Sequence, residues 1–142
     1  QRQMCKETVY NLIDNAIKFS HDNSFIYVTV KEKGEKAQIS IKDTGSGIAK
    51  EDIDKIWDRF YKSDASRGRD KKGSGLGLSI VKEIIQAHEE HIDVISTKDV
   101  GTEFIFTLAL AGRALLAIYI AAFVYIMSDG GVIYKFIVSK SA

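Results

Sequence analysis

The spacing of apolar and polar residues changes period several times along the chain. In "MCKETVYNLIDNAIKFS", Val9, Leu12, Ile13, Ala16 and Ile17 recur at helical spacing, which predicts an amphipathic helix with one buried stripe. Asn11, Asn15 and Lys18 fall at i, i+4 and i+7 and share a second face of that helix. The period then drops to two. "FIYVTVKEK" alternates Ile26, Val28 and Val30 against Tyr27, Thr29 and Lys31, and "KAQISIKD" alternates around Ile39 and Ile41. With Gly34 between them, these segments predict a hairpin. "AKEDIDKIWDRF" returns to a helical stripe through Ile53, Ile56, Trp57 and Phe60. "YKSDASRGRDKKGSG" is polar, basic and without period, and reads as a loop. "LGLSIVKEIIQAH" is helical again, with Leu78, Val81, Ile84 and Ile85 inward. "HIDVIS" and "TEFIFTLAL", joined through Gly101, give two more strands. Helix, two strands, helix, loop, helix, two strands is the order of an α+β sandwich, a largely antiparallel sheet with helices on one face.

The tail, "AGRALLAIYIAAFVYIMSDGGVIYKFIVSKSA", is far more apolar than the rest. Ala114 to Met127 carry no charge, but the run is shorter than the roughly 18 residues that would span a bilayer. Its β-branched and aromatic residues, the "SDGG" turn and the strand-like "VIYKFIV" favour a hairpin or strand pair, with helix, turn and strand as the alternative that its alanines and leucines leave open. Such a pair is expected to pack on the sheet edge or on a second copy of the chain, giving self-association through the tail. The expected division is a domain over 1–110 and an apolar extension over 111–142.

Bulk composition changes this picture little. The 142 residues suffice for one domain with a real core. A net charge of +1 gives no reason to expect a nucleic-acid partner. The single cysteine, Cys5, excludes an internal disulfide framework and suits a reducing compartment. No secretory signal is expected at the start of the chain.

Candidate chemistry gathers at three places. The asparagine face of the first helix offers amide oxygens, which bind a hard cation such as Mg²⁺ without adding charge, and a lysine that can neutralise phosphate. "DTGSGI", Asp43 to Ile48, puts a carboxylate at the head of a glycine loop. "GSGLGLS", Gly73 to Ser79, opens a helix, where backbone N–H groups make an anion site.

Together these segments resemble the catalytic ATP-binding domain of bacterial two-component sensor histidine kinases, in the superfamily that includes gyrase, MutL and heat-shock chaperones. "NLIDNAIKFS" is similar to the family's N box, "DTGSGI" to its first glycine box, "IWDRFYKSD" to its F box and "GSGLGLSIV" to its second glycine box. The resemblance runs from about residue 3 to residue 110. It implies a Bergerat-type two-layer sandwich with a mixed, mainly antiparallel sheet, and ATP and Mg²⁺ as cofactors.

By position, the resemblance assigns Asn15 as the Mg²⁺ ligand, with Asn11 one turn earlier on the same catalytic face. Lys18 would contact phosphate and Phe19 would pack near adenine. Asp43 would accept a hydrogen bond from the exocyclic amine of adenine, while Gly45 and Gly47 bring the backbone close to the ring and Ile48 lines the base pocket. Trp57 and Phe60 would pack against a lid running from Tyr61 to Ser74. In that lid Lys62 is the favoured γ-phosphate contact, with Arg67, Arg69, Lys71 and Lys72 as further candidates. Gly73, Ser74, Gly75, Leu76, Gly77 and Leu78 would hold the phosphates from above.

Departures from the pattern carry information as well. Gyrase-type ATPases place a glutamate as water-activating base where this chain has Asn11, so little water activation is expected. Glu89 and Glu90 stand where kinases often have glycine, and that corner is expected to be built differently. The only histidines, His21, His88 and His91, lack the neighbours of a phosphoacceptor. The resemblance therefore implies transfer of the γ-phosphoryl group to a histidine on a separate dimerisation domain of the same kinase. A response regulator would act downstream, and this domain would be the cytoplasmic part of a membrane-bound sensor. The alternatives are a protein serine kinase of the anti-sigma-factor type and a non-catalytic nucleotide-binding module.

Overall fold

The computed structural model describes residues 2–63, 73–109 and 133–139. The first helix, α1, runs Arg2–Phe19 and is followed by strands β1, Phe25–Lys33, and β2, Lys36–Asp43. Two short 3₁₀ turns come next, Lys50–Asp52 and Lys55–Trp57, then helix α2, Gly77–Ala87. Strands β3, Ile92–Thr97, β4, Gly101–Ala109, and β5, Ile133–Ser139, complete the described elements. They form a five-stranded sheet in the order β3-β4-β2-β1-β5. The β1–β2, β2–β4 and β3–β4 pairs are antiparallel, and β5 joins the edge parallel to β1. The α+β sandwich with a mixed, mainly antiparallel sheet is thus the observed fold.

Alternation along the strands decides which side the helices cover. Ile26 and Val28 of β1, Ala37, Ile39 and Ile41 of β2, and Phe104, Phe106 and Leu108 of β4 are buried, because successive side chains of a strand point to opposite faces. Val9, Leu12, Ile13 and Ala16 of α1 and Val81 and Ile85 of α2 close the same core. Full burial of each such side chain contributes about 1.5–3 kcal/mol relative to exposure.

The helix expected around Ile53 to Phe60 is replaced by the two 3₁₀ turns, neither of which has a side-chain cap. Ile56 and Trp57 still lean on the core, the indole meeting Phe104 edge-on at 5.8 Å between centroids. Lys82 lies 5.6 Å over the same indole, and Arg59 pairs with Glu83, so α2 pins this segment from outside. Tertiary contacts thus hold a stretch whose own turns are too short to propagate as a helix. Phe60 does not pack inward: it is 72% exposed and has a φ of 64°.

The corner after α2 also differs from expectation. Glu89 takes the left-handed conformation at φ 57° that glycine usually occupies at a helix end. Its N–H bonds to Gln86 and that of Glu90 to Ile85, at 2.9 and 3.1 Å. The corner is therefore an ordinary Schellman turn, built with a glutamate. The Glu90 carboxylate lies buried between Lys36, at 2.7 Å, and the Thr107 hydroxyl, at 2.6 Å. These partners, Lys36 first, hold its pKa below the ordinary value.

In the tail, "VIYKFIV" does form most of a strand, β5, at the sheet edge, registered with Phe25 opposite Ile133 and Lys31 opposite Ser139. The "SDGG" turn and the run from Ala114 to Met127 lie outside the described residues.

Candidate nucleotide-binding site

At the end of β2 the chain places Asp43 on the buried face, only 3% exposed. Its Oδ1 accepts the Gly45 N–H at 2.9 Å, and the Thr102 backbone N–H also donates to the carboxylate. Burial pushes the pKa of this acid up; the two N–H groups and the nearby His21 offset that only in part. A charge carried this deep, with acceptor capacity to spare, suits recognition of a donor group.

The loop after Asp43 is clamped by backbone on two sides. Ser46 donates its N–H to the Phe19 carbonyl at the end of α1, at 3.0 Å, and its own carbonyl accepts the Asp99 N–H at 2.7 Å. A Cβ on Gly45 would stand 1.9 Å from the Phe19 carbonyl oxygen, and one on Gly47, whose φ is 64°, would stand 2.0 Å from the Thr97 carbonyl oxygen. The glycines are thus required by the crossing of protein backbones, whatever the loop binds. Ile48 is held through its N–H by the Ser96 hydroxyl at 2.8 Å.

Around this loop a cleft of about 140 Å³ opens between α1, the first glycine loop, the 3₁₀ segment and the start of α2. It brings together Asn11, Asn15, Lys18, Phe19, Asp43, Gly47, Ile48, Tyr61, Lys62, Gly75, Gly77 and Leu78 from the sequence-derived set. Gly45 sits buried behind it, while Gly73, Ser74 and Leu76 are not among its lining residues. Arg67, Arg69, Lys71 and Lys72 lie outside the described residues. Five lining residues were not anticipated: Asp14, Ser46, Ile56, Ser63 and Thr102. Asp14 was legible, since it shares the α1 face at i+3 from Asn11. Thr102 was not, because it reaches Asp43 only through the β2–β4 register.

Several of the predicted groups are engaged inside the protein, Lys18 and Tyr61 among them. Lys18 pairs with Asp14 at 3.0 Å, both side chains being partly exposed. The Tyr61 hydroxyl donates to Asp52 at 2.6 Å. Among the described residues the Ser46 hydroxyl is buried without a protein partner. Among the described residues there is also no group of three or more His, Cys, Asp or Glu side chains placed to hold a metal. Asn11 and Asn15 bring neutral amide oxygens to the cleft, and the Asp14 carboxylate beside them is paired with Lys18. That donor set fits a magnesium ion, which keeps several waters and few protein ligands.

Residues 1–112 match the family described as "Histidine kinase-, DNA gyrase B-, and HSP90-like ATPase". The chain belongs to this family. Within it, the chain is a histidine kinase-type ATPase domain, since its relatives are sensor kinases. It is 46% identical over 102 residues to the sensor protein SrrB of Staphylococcus aureus, a match covering 72% of this chain and 18% of SrrB. The chain thus spans less than a fifth of the length of the curated relatives it matches. Among solved structures, the catalytic domain of histidine kinase ThkA is 31% identical with a TM-score of 0.64, covering 76% of this chain and 68% of that one. The mycobacterial sensor histidine kinase MprB is 29% identical with a TM-score of 0.61, covering 72% and 67%. Among the described residues no helix of this ATPase domain is long and apolar enough to cross a membrane.

Proposed function

We propose that this domain binds Mg-ATP in the α1 cleft and presents the γ-phosphoryl group to a histidine on a separate dimerisation domain of the same kinase. The observation that carries the reading is the buried Asp43 carboxylate, which lines the cleft beside Thr102. An acceptor there takes the 6-amino group of adenine and meets an acceptor, the 6-carbonyl, in guanine. The unpaired buried group then penalises the wrong base by roughly 1–3 kcal/mol.

Gly75, Gly77 and the start of α2 offer backbone N–H groups to the phosphates. Lys18 and Lys62, which line the cleft, would bring positive charge to the same chain of oxygens, and Asn15, with Asn11 beside it, would hold the metal. Bound magnesium supplies charge neutralisation for the triphosphate. Asn11 is neutral, and the carboxylate of Asp14 is paired with Lys18, so the cleft is poorly equipped to activate water. That supports transfer to an incoming imidazole nitrogen in line with the leaving group. An aspartate of a response regulator would then receive the phosphoryl group, and the domain would lie on the cytoplasmic side of a membrane-bound sensor. Sensor-kinase relatives favour this over the serine-kinase alternative.

Calorimetric titration with ATP and GTP, with and without Mg²⁺, tests the first half. Adding the kinase's own dimerisation domain and assaying acid-labile phosphate tests the second. Equal affinity for ATP and GTP would refute the role of Asp43, and label on the isolated domain would refute the division of labour.

A further inference from the structure

Ser96, on β3, is not among the lining residues of the cleft, yet its hydroxyl has three partners around it. It accepts the Ile48 N–H at 2.8 Å, lies 2.9 Å from the Gly101 carbonyl oxygen and lies 2.8 Å from the Thr102 hydroxyl. A hydroxyl has one proton and two lone pairs. The carbonyl can only accept, so the Ser96 proton goes to Gly101. Ile48 fills one lone pair. The other is left for Thr102, whose own proton must then point to Ser96. The Thr102 hydroxyl, with its proton committed, has only acceptor capacity left.

Strand register places this hydroxyl beside the key acid. Ser96 stands opposite Thr102 in the β3–β4 pairing, and Thr102 stands opposite Asp43 in the β2–β4 pairing. Thr102 and Asp43 are both buried and both line the cleft. The row therefore presents two acceptors next to one another.

We propose that Ser96 is a positioning residue that takes the Thr102 proton, makes that hydroxyl a second acceptor beside Asp43, and so sharpens selection of a 6-amino purine over a 6-oxo purine. The inference rests on the reading of this cleft as an adenine-nucleotide site. Ser96 touches no part of the ligand; it acts by fixing the polarity of Thr102 and, through Ile48, the end of the glycine loop.

The test is competitive calorimetry of the whole chain with ATP and with inosine triphosphate, whose purine carries a 6-carbonyl. Ser96→Ala should weaken ATP binding by roughly three- to tenfold, the range of one neutral hydrogen bond, and leave the inosine nucleotide nearly unchanged, so the ratio shrinks. Thr102→Val should shrink it by a similar factor, and the double variant should shrink it no further. Ser96→Thr, which restores a hydroxyl, should recover the ratio. An equal loss for both nucleotides would mean that Ser96 only supports the fold, and the proposal would be wrong. If Ser96→Ala does not fold, Thr102→Val decides alone: an unchanged ratio overturns the proposal. A wild-type chain that binds neither nucleotide defeats the underlying reading, whereas one that binds ATP normally while the variants keep its ratio defeats only this step.

Discussion

The Lys18 ammonium lies 3.0 Å from the Asp14 carboxylate, and both residues line the cleft. A triphosphate entering there competes with Asp14 for the lysine. Exposed pairs of this kind are worth about 0–1 kcal/mol. Asp14→Asn removes a negative charge from the cleft and dissolves the pair, so it should tighten metal-free ATP binding by roughly two- to fivefold. A drop in affinity by titration would show instead that Asp14 holds Lys18 where the phosphates need it.

Asp43→Asn should weaken ATP binding by about 2 kcal/mol, because a charged acceptor becomes an amide that must also find a donor's partner. Stability should respond differently. The folded pKa of Asp43 is raised above 3.8, mainly by burial. Its contribution to folding is therefore full below that ordinary value and is lost as pH rises through the folded value, so the ionised group is a burden at pH 7. The variant should accordingly lose no thermal stability at pH 7. Its deficit in ATP affinity relative to wild type should close as acid protonates the wild-type carboxylate. Parallel thermal melts and titrations across pH check both halves.

Glu90 has the opposite sign. Lys36 and Thr107 lower its folded pKa below 4.5, so its stabilisation is complete above that ordinary value and disappears as pH falls through the folded one. Glu90→Gln should melt earlier than wild type at pH 7, and the two curves should converge in acid. A gap that persists unchanged at low pH would assign the loss to packing alone.

Gly45→Ala should be much more damaging than Gly34→Ala. The first forces a methyl to within 1.9 Å of the Phe19 carbonyl oxygen; the second meets nothing within 4 Å and suffers only its φ of 62°. The left-handed penalty is about 1–2 kcal/mol. Melting temperatures of the two variants rank the effects, and equal losses would argue against the backbone crossing.

A chain ending at Leu110 should keep its nucleotide affinity, since no cleft residue among those described comes from β5. It should melt earlier, because β1 loses the partner that it pairs with from Phe25 to Lys31. A folded truncation with much weaker ATP binding would move the proposed boundary at 110 and bring the tail into the site.

Local spacing carried a good deal of this domain. The stripe Val9, Leu12, Ile13 and Ala16 is buried as its period requires, and the alternation in β1, β2 and β4 decides which face receives the helices. The same local logic put Asn11, Asn15 and Lys18 on one helix face, because offsets of four and seven residues, about one and two helical turns, fix direction without any distant contact. What sequence period could not supply was everything set by pairing between remote segments. Ser96, Thr102 and Asp43 become neighbours only through the strand order β3-β4-β2, which no single stretch encodes. Trp57 rests on Phe104, and its segment is shaped by that contact rather than by helical propensity. The glycines of "DTGSGI" were legible as special positions, but the reason was not: it lies in the carbonyls of Phe19 and Thr97, which the folded sheet and helix drive against them. Sequence by itself thus determined the long helices and the strands and the residues that share a face along each of them, but not the 3₁₀ segment around Trp57. Tertiary structure alone decided which of those faces meet, because register and crossing distance are properties of the packed chain.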